Sequence, residues 1–436
     1  MAYVVQTREG GELNRVHEED LPVHEWYRFV LSFPPHLVRN YLERFGLGRH
    51  HWVLDPFCGT GTTIVECKKS GIPSIGLEAN PVVQYAAATK VNWFVDPDDL
   101  VAHAEAVADA TSQVLQEEGL EDDPLFQPLI NGQEIELRTL TKDQERLLIK
   151  NSISPKPLHK AIVLIEQLNR MADERFAAHE KISLAKQLVY SISNLRFGPE
   201  VGVGKAKEDV PVVGPWLRGV KEMANDLRSL KDRVEVPAFV KLHDSRGLDT
   251  SLEPLAFDGV ITSPPYPNEK DYTRMTRLES VLLGFMRDRS DLRAQKQRLL
   301  RSNTRNVYKH DADERWVENN ERVQELADRI EAKRVELGKT SGYEKLYARV
   351  VRLYFGGMAR HLEELKPILA PGAQLAYVVG DQASFFRILI RTGEILAEIA
   401  EELGYEVIGI DLFRSRLSTA TQDNLREEAV LLRWPS

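Results

Sequence analysis

The chain reads as an α/β protein with a mostly parallel, doubly wound sheet, a reversed last strand and two largely helical insertions. Three observations predict this. Seven short runs rich in Val, Ile and Leu recur without clean alternation, as strands buried on both faces do. Helix-like segments separate several of these runs, the alternation that builds parallel sheets. The runs EVIGID (406–411) and EAVLLR (428–433) are joined by a connection too short for a crossover helix, so that pair is antiparallel.

The elements divide the chain in order. Residues 1–96 hold the runs HWVLD (51–55) and SIGLE (74–78), with the helix-like TTIVECKKS between them. Residues 97–236 form the first insertion and read helical, as in KISLAKQLVYSISNL, apart from a Gly/Pro/Val-rich loop at 196–216. Residues 237–267 return to strands with VKLHD (240–244) and DGVIT (258–262). Residues 268–345 are a second insertion, charged and helical, as in ENNERVQELADRIEAKRVEL. Residues 346–436 complete the sheet with AQLAYVVG, EVIGID and EAVLLR.

Composition bounds the function. The 436 residues allow one large or two ordinary domains, and 42% of them are hydrophobic. No apolar run is long enough to span a bilayer, and MAYVVQTREGGELNR lacks the basic start and apolar core of a signal peptide. A cytoplasmic location without a membrane partner is expected. Cys58 and Cys67 fit no zinc spacing and suggest no disulfide framework. His50 and His51 lack partner ligands at useful spacing, so no metal is assigned. The net charge of −9 argues against a nonspecific polyanion binder but leaves room for a local basic groove.

HWVLDPFCGTGTTIVECKK is a strand, a glycine-containing turn and a helix. Gly59 and Gly61 let the backbone adopt positive φ and approach a ligand closely. Amides at the helix start, around Thr62 and Thr63, point at the same place. A glycine turn alone is common, and Asp55 and Glu78 on successive strand tips make this one unusual. An acidic side chain at the second tip can accept both hydroxyls of a ribose. No P-loop pattern is present, and Asp55 would repel a pyrophosphate. A cofactor with a ribose and a positive centre fits, which describes S-adenosylmethionine. Asp55 suits its cationic end, directly or through water. Asp244, a third acidic tip, is placed to accept from the adenine amine.

ITSPPYPNEKDYTR (261–274) raises a different question, because a core strand runs into a stiff, polar corner tipped by an exposed aromatic. Pro264 and Pro265 fix φ and donate no hydrogen bond. A planar base with an exocyclic amine answers it. Such an amine is a poor nucleophile, since its lone pair is delocalised into the ring. The Ser263 hydroxyl and the Pro264 carbonyl can hold its hydrogens and favour a pyramidal, attacking nitrogen, preorganised by the prolines. Tyr266 offers a face for stacking the base, worth roughly 1–3 kcal/mol.

These two corners resemble the motifs of the amino-DNA methyltransferases. DPFCGTGTT is similar to their S-adenosylmethionine motif, and TSPPY to their catalytic motif in the form typical of N4-cytosine enzymes. HEWYRFVLSFPPHLVRNYLERF (24–45) resembles the helix that closes over the methionine end of the cofactor, which brings in Phe33 and Pro34. The resemblance covers roughly 24–95 and 238–436 and implies a Rossmann-like sheet with a reversed last strand. It assigns Asp55, Phe57, Gly59, Gly61 and Thr62 to the cofactor loop, Glu78 to the ribose and Asp244 to the adenine. It assigns Ser263, Pro264, Pro265 and Tyr266 to the target amine. No separate recognition domain follows, so target recognition falls to the insertions.

The expected activity is methyl transfer to cytosine N4 in DNA, with the target base flipped out of the duplex. Adenine N6, an RNA base and an inactive nucleic-acid-binding homologue stand as rivals, and a restriction or defence partner is open. Residues 287–309 carry eight Lys/Arg and two acids, and Arg293, Lys296, Arg298 and Arg301 are candidate phosphate contacts. Lys205 in the 196–216 loop and Arg414 in the last connection are further candidates. Cys58 invites a nucleophile reading, as in C5 methylation. That chemistry needs Pro-Cys at the catalytic tip, where this chain has Pro-Pro-Tyr, so Cys58 reads as turn filler.

Overall fold

The structure is a computed structural model that describes residues 5–7, 18–27, 33–127, 135–197, 200–248, 252, 256–268, 270–417 and 424–435. All seven apolar runs form strands of one sheet. They are β2 (Val53–Asp55), β3 (Ser74–Glu78), β6 (Ala238–Leu242), β7 (Phe257–Thr262), β8 (Leu369–Gly380), β9 (Glu406–Leu417) and β10 (Asn424–Arg433). An eighth strand, β1 (Val5–Thr7), pairs parallel to β9 and was not expected from sequence. Three residues carry no periodicity, so only the pairing defines it. The order is β1-β9-β10-β8-β7-β2-β3-β6. Every neighbouring pair is parallel except those of β10, which runs against both β8 and β9.

From β2 the chain steps outward through β3 to β6, then crosses back to β7 on the other side of β2. The strand order therefore reverses between β2 and β7. In open α/β sheets a ligand crevice opens there, at the carboxyl ends of the strands. Both sequence corners lie at that point.

Helices α1 (Pro35–Arg44) and α2 (Thr62–Lys69) cover one face of the sheet. Pro34 is extended and Pro35 takes the first helical position of α1, where its missing N–H costs nothing. Leu37, Val38 and Tyr41 of α1 pack with Cys67, Val53, Ile261, Ala376 and Leu431. The helix α3 (Pro81–Val91) follows β3. The first insertion holds α4 (Pro97–Glu117), α5 (Lys142–Leu147), α6 (Pro155–Arg170), α7 (Ala177–Gln187) and α8 (Val213–Ser229). Between α7 and α8 lies a two-stranded hairpin, β4 (Leu195–Phe197) with β5 (Val201–Val203). The helices α4, α6, α7 and α8 share a second apolar core around Trp216, Leu164 and Leu184.

The second insertion holds α9 (Tyr272–Met275), α10 (Arg277–Leu282), α11 (Arg289–Arg298) and α12 (Glu321–Glu336). The helices α13 (Tyr347–Leu365) and α14 (Thr392–Glu402) pack on the opposite face of the sheet from α1, with Val351, Phe355 and Leu396 against Leu375, Tyr377 and Val430. Among the described residues, no helix is long and apolar enough to cross a membrane.

Candidate functional site

The two corners meet through a hydrogen-bonded seam. β2 and β7 are parallel neighbours, with Val53 opposite Gly259 and Leu54 opposite Val260. At their tips the Thr262 hydroxyl donates to Asp55 Oδ1 at 2.6 Å, and the Phe57 amide lies 3.2 Å from the same oxygen. In the first turn of α2, Thr63 donates to the Ile261 carbonyl at 3.1 Å. Asp55 is buried, and its second oxygen, Oδ2, has no partner among the described residues. Burial pushes its carboxyl up to about 6.

The turn after β2 needs its glycines. Gly59 has φ +52° and Gly61 φ +87°. A Cβ on Gly61 would also stand 3.1 Å from that of Ala87, whereas one on Gly59 would meet no protein atom within 4 Å. The Gly59 amide donates to Glu78 Oε2 at 3.0 Å, and the Asn80 amide to Oε1 at 2.7 Å. Glu78 is half-buried, and desolvation lifts its carboxyl to about 7. Thr62 begins α2 and is buried. Cys58 is buried too, its sulfur against Gly76, and burial pushes its thiol well up.

Phe57 rests edge-on against His361 of α13, with ring centroids 4.9 Å apart. His361 Nδ1 lies 2.8 Å from the Ser245 carbonyl, which only accepts, so Nδ1 carries the proton. Nε2 therefore accepts from the Tyr377 hydroxyl at 2.7 Å. Burial lowers the imidazole to about 4, so it stays neutral. Neither His361 nor Tyr377 was expected, because each enters the site only through packing between distant elements.

Arg246 holds both oxygens of Asp244 at 3.0 and 2.7 Å and reaches Asp313 at 2.7 Å, which leaves a lone pair open on Asp244 Oδ2. Two expectations need correction. Tyr266 is not an exposed tip, since it is half-buried against the core and its ring edge lies 3.1 Å from the Cβ position of Gly380. The basic run does not face outward as a unit. Arg301 is buried, held by Asp311 and by the carbonyls of Lys296, Leu299 and Gln297. Lys296 pairs inward with Asp271 at 2.9 Å. Unpaired, these charges would have been too costly to bury. Arg293 and Arg298 are exposed, with Arg293 over the Tyr308 ring.

The remaining candidates are spread more widely. Ser263 donates to the Val378 carbonyl at 3.1 Å, Pro264 is buried and Pro265 half-buried. Phe33 packs, half-buried, on the α1 cluster and Pro34 precedes that helix. Residues 28–32 of the 24–45 segment lie outside the described residues, as do 198–199 of the 196–216 loop and 418–423 of the last connection. Lys205 and Arg414 are exposed. No cluster of metal-ligating side chains occurs among the described residues.

The sequence family described as DNA methylase matches residues 6–89, which contain the β2 turn and Glu78. The type II methyltransferase M.BsoBI of Geobacillus stearothermophilus is 26% identical and covers 94% of this chain and 84% of its own. The type II methyltransferase M.AvaI of a Nostoc strain is 24% identical, over 88% and 80%. A third, M.MjaII of Methanocaldococcus jannaschii, is 42% identical over 73 residues. The solved structure of TrmN from Thermus thermophilus overlaps 95% of this chain with a TM-score of 0.32 and 8% identity, too low to carry an argument. With both motifs seamed together at the reversal point of the sheet, the chain is similar to the amino-DNA methyltransferases, whose methyl donor is S-adenosylmethionine.

Proposed function

We propose that this protein methylates the N4 amine of a cytosine flipped out of duplex DNA. The observation that carries the reading is the Thr262–Asp55 hydrogen bond, which ties the cofactor turn to the SPPY corner across adjacent strand tips. Two further features favour S-adenosylmethionine as the group bound at that turn. Asp55 Oδ2 is a buried carboxylate oxygen without a protein partner, which a cationic amine or a water would satisfy. The turn around Gly59 presents bare backbone on the side where a Cβ would stand.

In this reading Glu78 accepts the ribose hydroxyls, Phe57 lines the adenosine side and Thr62 adds its amide at the start of α2. Phe33 and Pro34 flank the methionine end. Asp244, oriented by Arg246, accepts from the adenine amine through the remaining lone pair of Oδ2. When bound, S-adenosylmethionine supplies an electrophilic methyl group. The rest falls to the chain. Ser263 gives its hydrogen to Val378, which leaves its lone pairs to accept from the target amine. The Pro264 carbonyl takes the second hydrogen, and both acceptors are fixed before the base arrives. Tyr266, seated over Gly380 by the absence of a side chain there, stacks on the ring. Pro265 holds the corner rigid.

A base inside a duplex cannot reach this crevice, so it must leave the stack. Arg293, Arg298, Lys205 and Arg414 are exposed cations for the phosphates around it. The likeness to type II methyltransferases supports a sequence-specific duplex target and a restriction partner. Digesting methylated DNA to nucleosides and weighing them tests the reading. N4-methylcytosine is the expected product. N6-methyladenine would move the target to adenine, and 5-methylcytosine would end the direct-amine mechanism.

A further inference from the structure

The SPPY corner leans over its neighbouring strand. Ser263 bonds the Val378 carbonyl, and the Tyr266 ring covers the Cβ position of Gly380. Alternate residues of a strand share a face, so Val378 and Gly380 point the same way. The next strand is β10, whose antiparallel register sets Ala429 opposite Val378 and Glu427 opposite Gly380. Side chains directly opposite across an antiparallel pair lie on one face, with Cβ atoms about 4.5–5.5 Å apart. Glu427 therefore stands on the face that Tyr266 covers, one strand away.

The register of β10 with β9 shifts between Glu427 and Glu428. Bulges of this kind re-aim side chains beside active sites. Glu428 turns fully inward, toward Arg426. Glu427 is half-buried, and its carboxylate has no hydrogen bond or ion pair among the described residues. After burial, its charge is the largest influence raising the Tyr266 phenol. On its other side the register sets Arg414 of β9 opposite Glu427, yet no ion pair joins them, so the carboxylate keeps its lone pairs open to a proton.

We propose that Glu427 is a further catalytic residue, the acceptor of the proton that the target amine releases. The inference rests on the methyltransferase reading above. The nitrogen lone pair forms the N–C bond as the C–S bond breaks, with its electron pair left on sulfur. The nitrogen, now cationic, gives one hydrogen to the Glu427 carboxylate, which returns it to water.

The test uses the full-length chain with Glu427→Gln and Glu427→Ala. Single-turnover methyl transfer to duplex DNA is expected to slow at least tenfold in both. S-adenosylmethionine affinity should stay within twofold, and duplex affinity should hold or tighten, because a negative charge has left. Misfolding would weaken all three together. Transfer within twofold of wild type overturns the proposal, as does slow transfer with a matching loss of cofactor affinity. A wild-type chain that methylates no duplex overturns the parent reading and this step with it, which differs visibly from an active wild type with unimpaired variants.

Discussion

Glu78 shows how a single side chain joins fold and chemistry. Its two oxygens already accept the Gly59 and Asn80 amides, and each carboxylate oxygen can take another donor. Glu78→Ala should weaken S-adenosylmethionine binding by about 1–3 kcal/mol, read by isothermal titration, because two hydroxyls lose a charged acceptor. The pH dependence follows from burial. Its folded carboxyl sits near 7 against an ordinary 4.5, so the ligand-free fold binds more protons than the unfolded chain in that window. Through this group the ligand-free protein loses stability as pH rises from about 4.5 to 7. Cofactor affinity moves the other way and should rise between about pH 6 and 8, as the acceptor ionises. In Glu78→Gln that trend should flatten. At the second corner, Tyr266→Ala should cut methyl transfer severely while S-adenosylmethionine still binds, and Tyr266→Phe should keep most of the rate, since stacking needs only the ring. Equal loss in both would assign the work to the hydroxyl. Asp55, Gly59, Gly61 and Ser263 were readable because a strand tip and its turn are local in sequence. His361 and Glu427 were not, because a helix about 300 residues away and a strand register bring them in.

At the scale of elements, burial sorted the cations of the second insertion. The run 287–309 looked uniform in sequence, but α11 and the turn after it present two faces. Arg293 and Arg298 face solvent, whereas Lys296 and Arg301 meet Asp271 and Asp311 inside. Composition could not see this, because the counter-ions come from other turns. The two groups should respond differently. Neutralising Arg293 and Arg298 should flatten the salt dependence of duplex binding by about 0.9 for each phosphate that is no longer paired with a cation, with the fold intact. Arg301→Ala should instead destabilise the protein by about 3–5 kcal/mol, because Asp311 is left buried without its partner. A shift in denaturation midpoint reads the second effect, and a salt series of duplex affinities reads the first. A reversed pattern would return Arg301 to the DNA face. The strands were easier, because Val/Ile/Leu runs buried on both faces announce themselves. The hairpin β4–β5 is too short to do so.

Across the whole molecule, residues 18–27 fasten three regions that sequence separates widely. His24 meets Glu66 of the cofactor helix α2 at 2.8 Å. The Tyr27 hydroxyl donates to Glu279 of α10, in the second insertion, at 2.5 Å. The Val23 amide and the Trp26 indole both donate to Asp226 of α8, in the first insertion, at 2.8 and 2.7 Å. Both insertions are thus tied to the core beside the crevice by one short stretch, although each has contacts of its own. Asp226 is the acceptor most open to test, because one oxygen serves two otherwise interior donors. Asp226→Ala strands both and should cost about 1–3 kcal/mol of stability. Asp226→Asn keeps an oxygen of the same reach and should cost less. S-adenosylmethionine affinity should remain within twofold in both, since neither donor lies at the β2 turn. Chemical denaturation of the three proteins, followed by titration of the cofactor, separates the outcomes. An Asp226→Ala chain as stable as wild type would mean that 18–27 rests on the insertion without holding it, and a cofactor loss equal to the stability loss would place the clamp within the crevice itself.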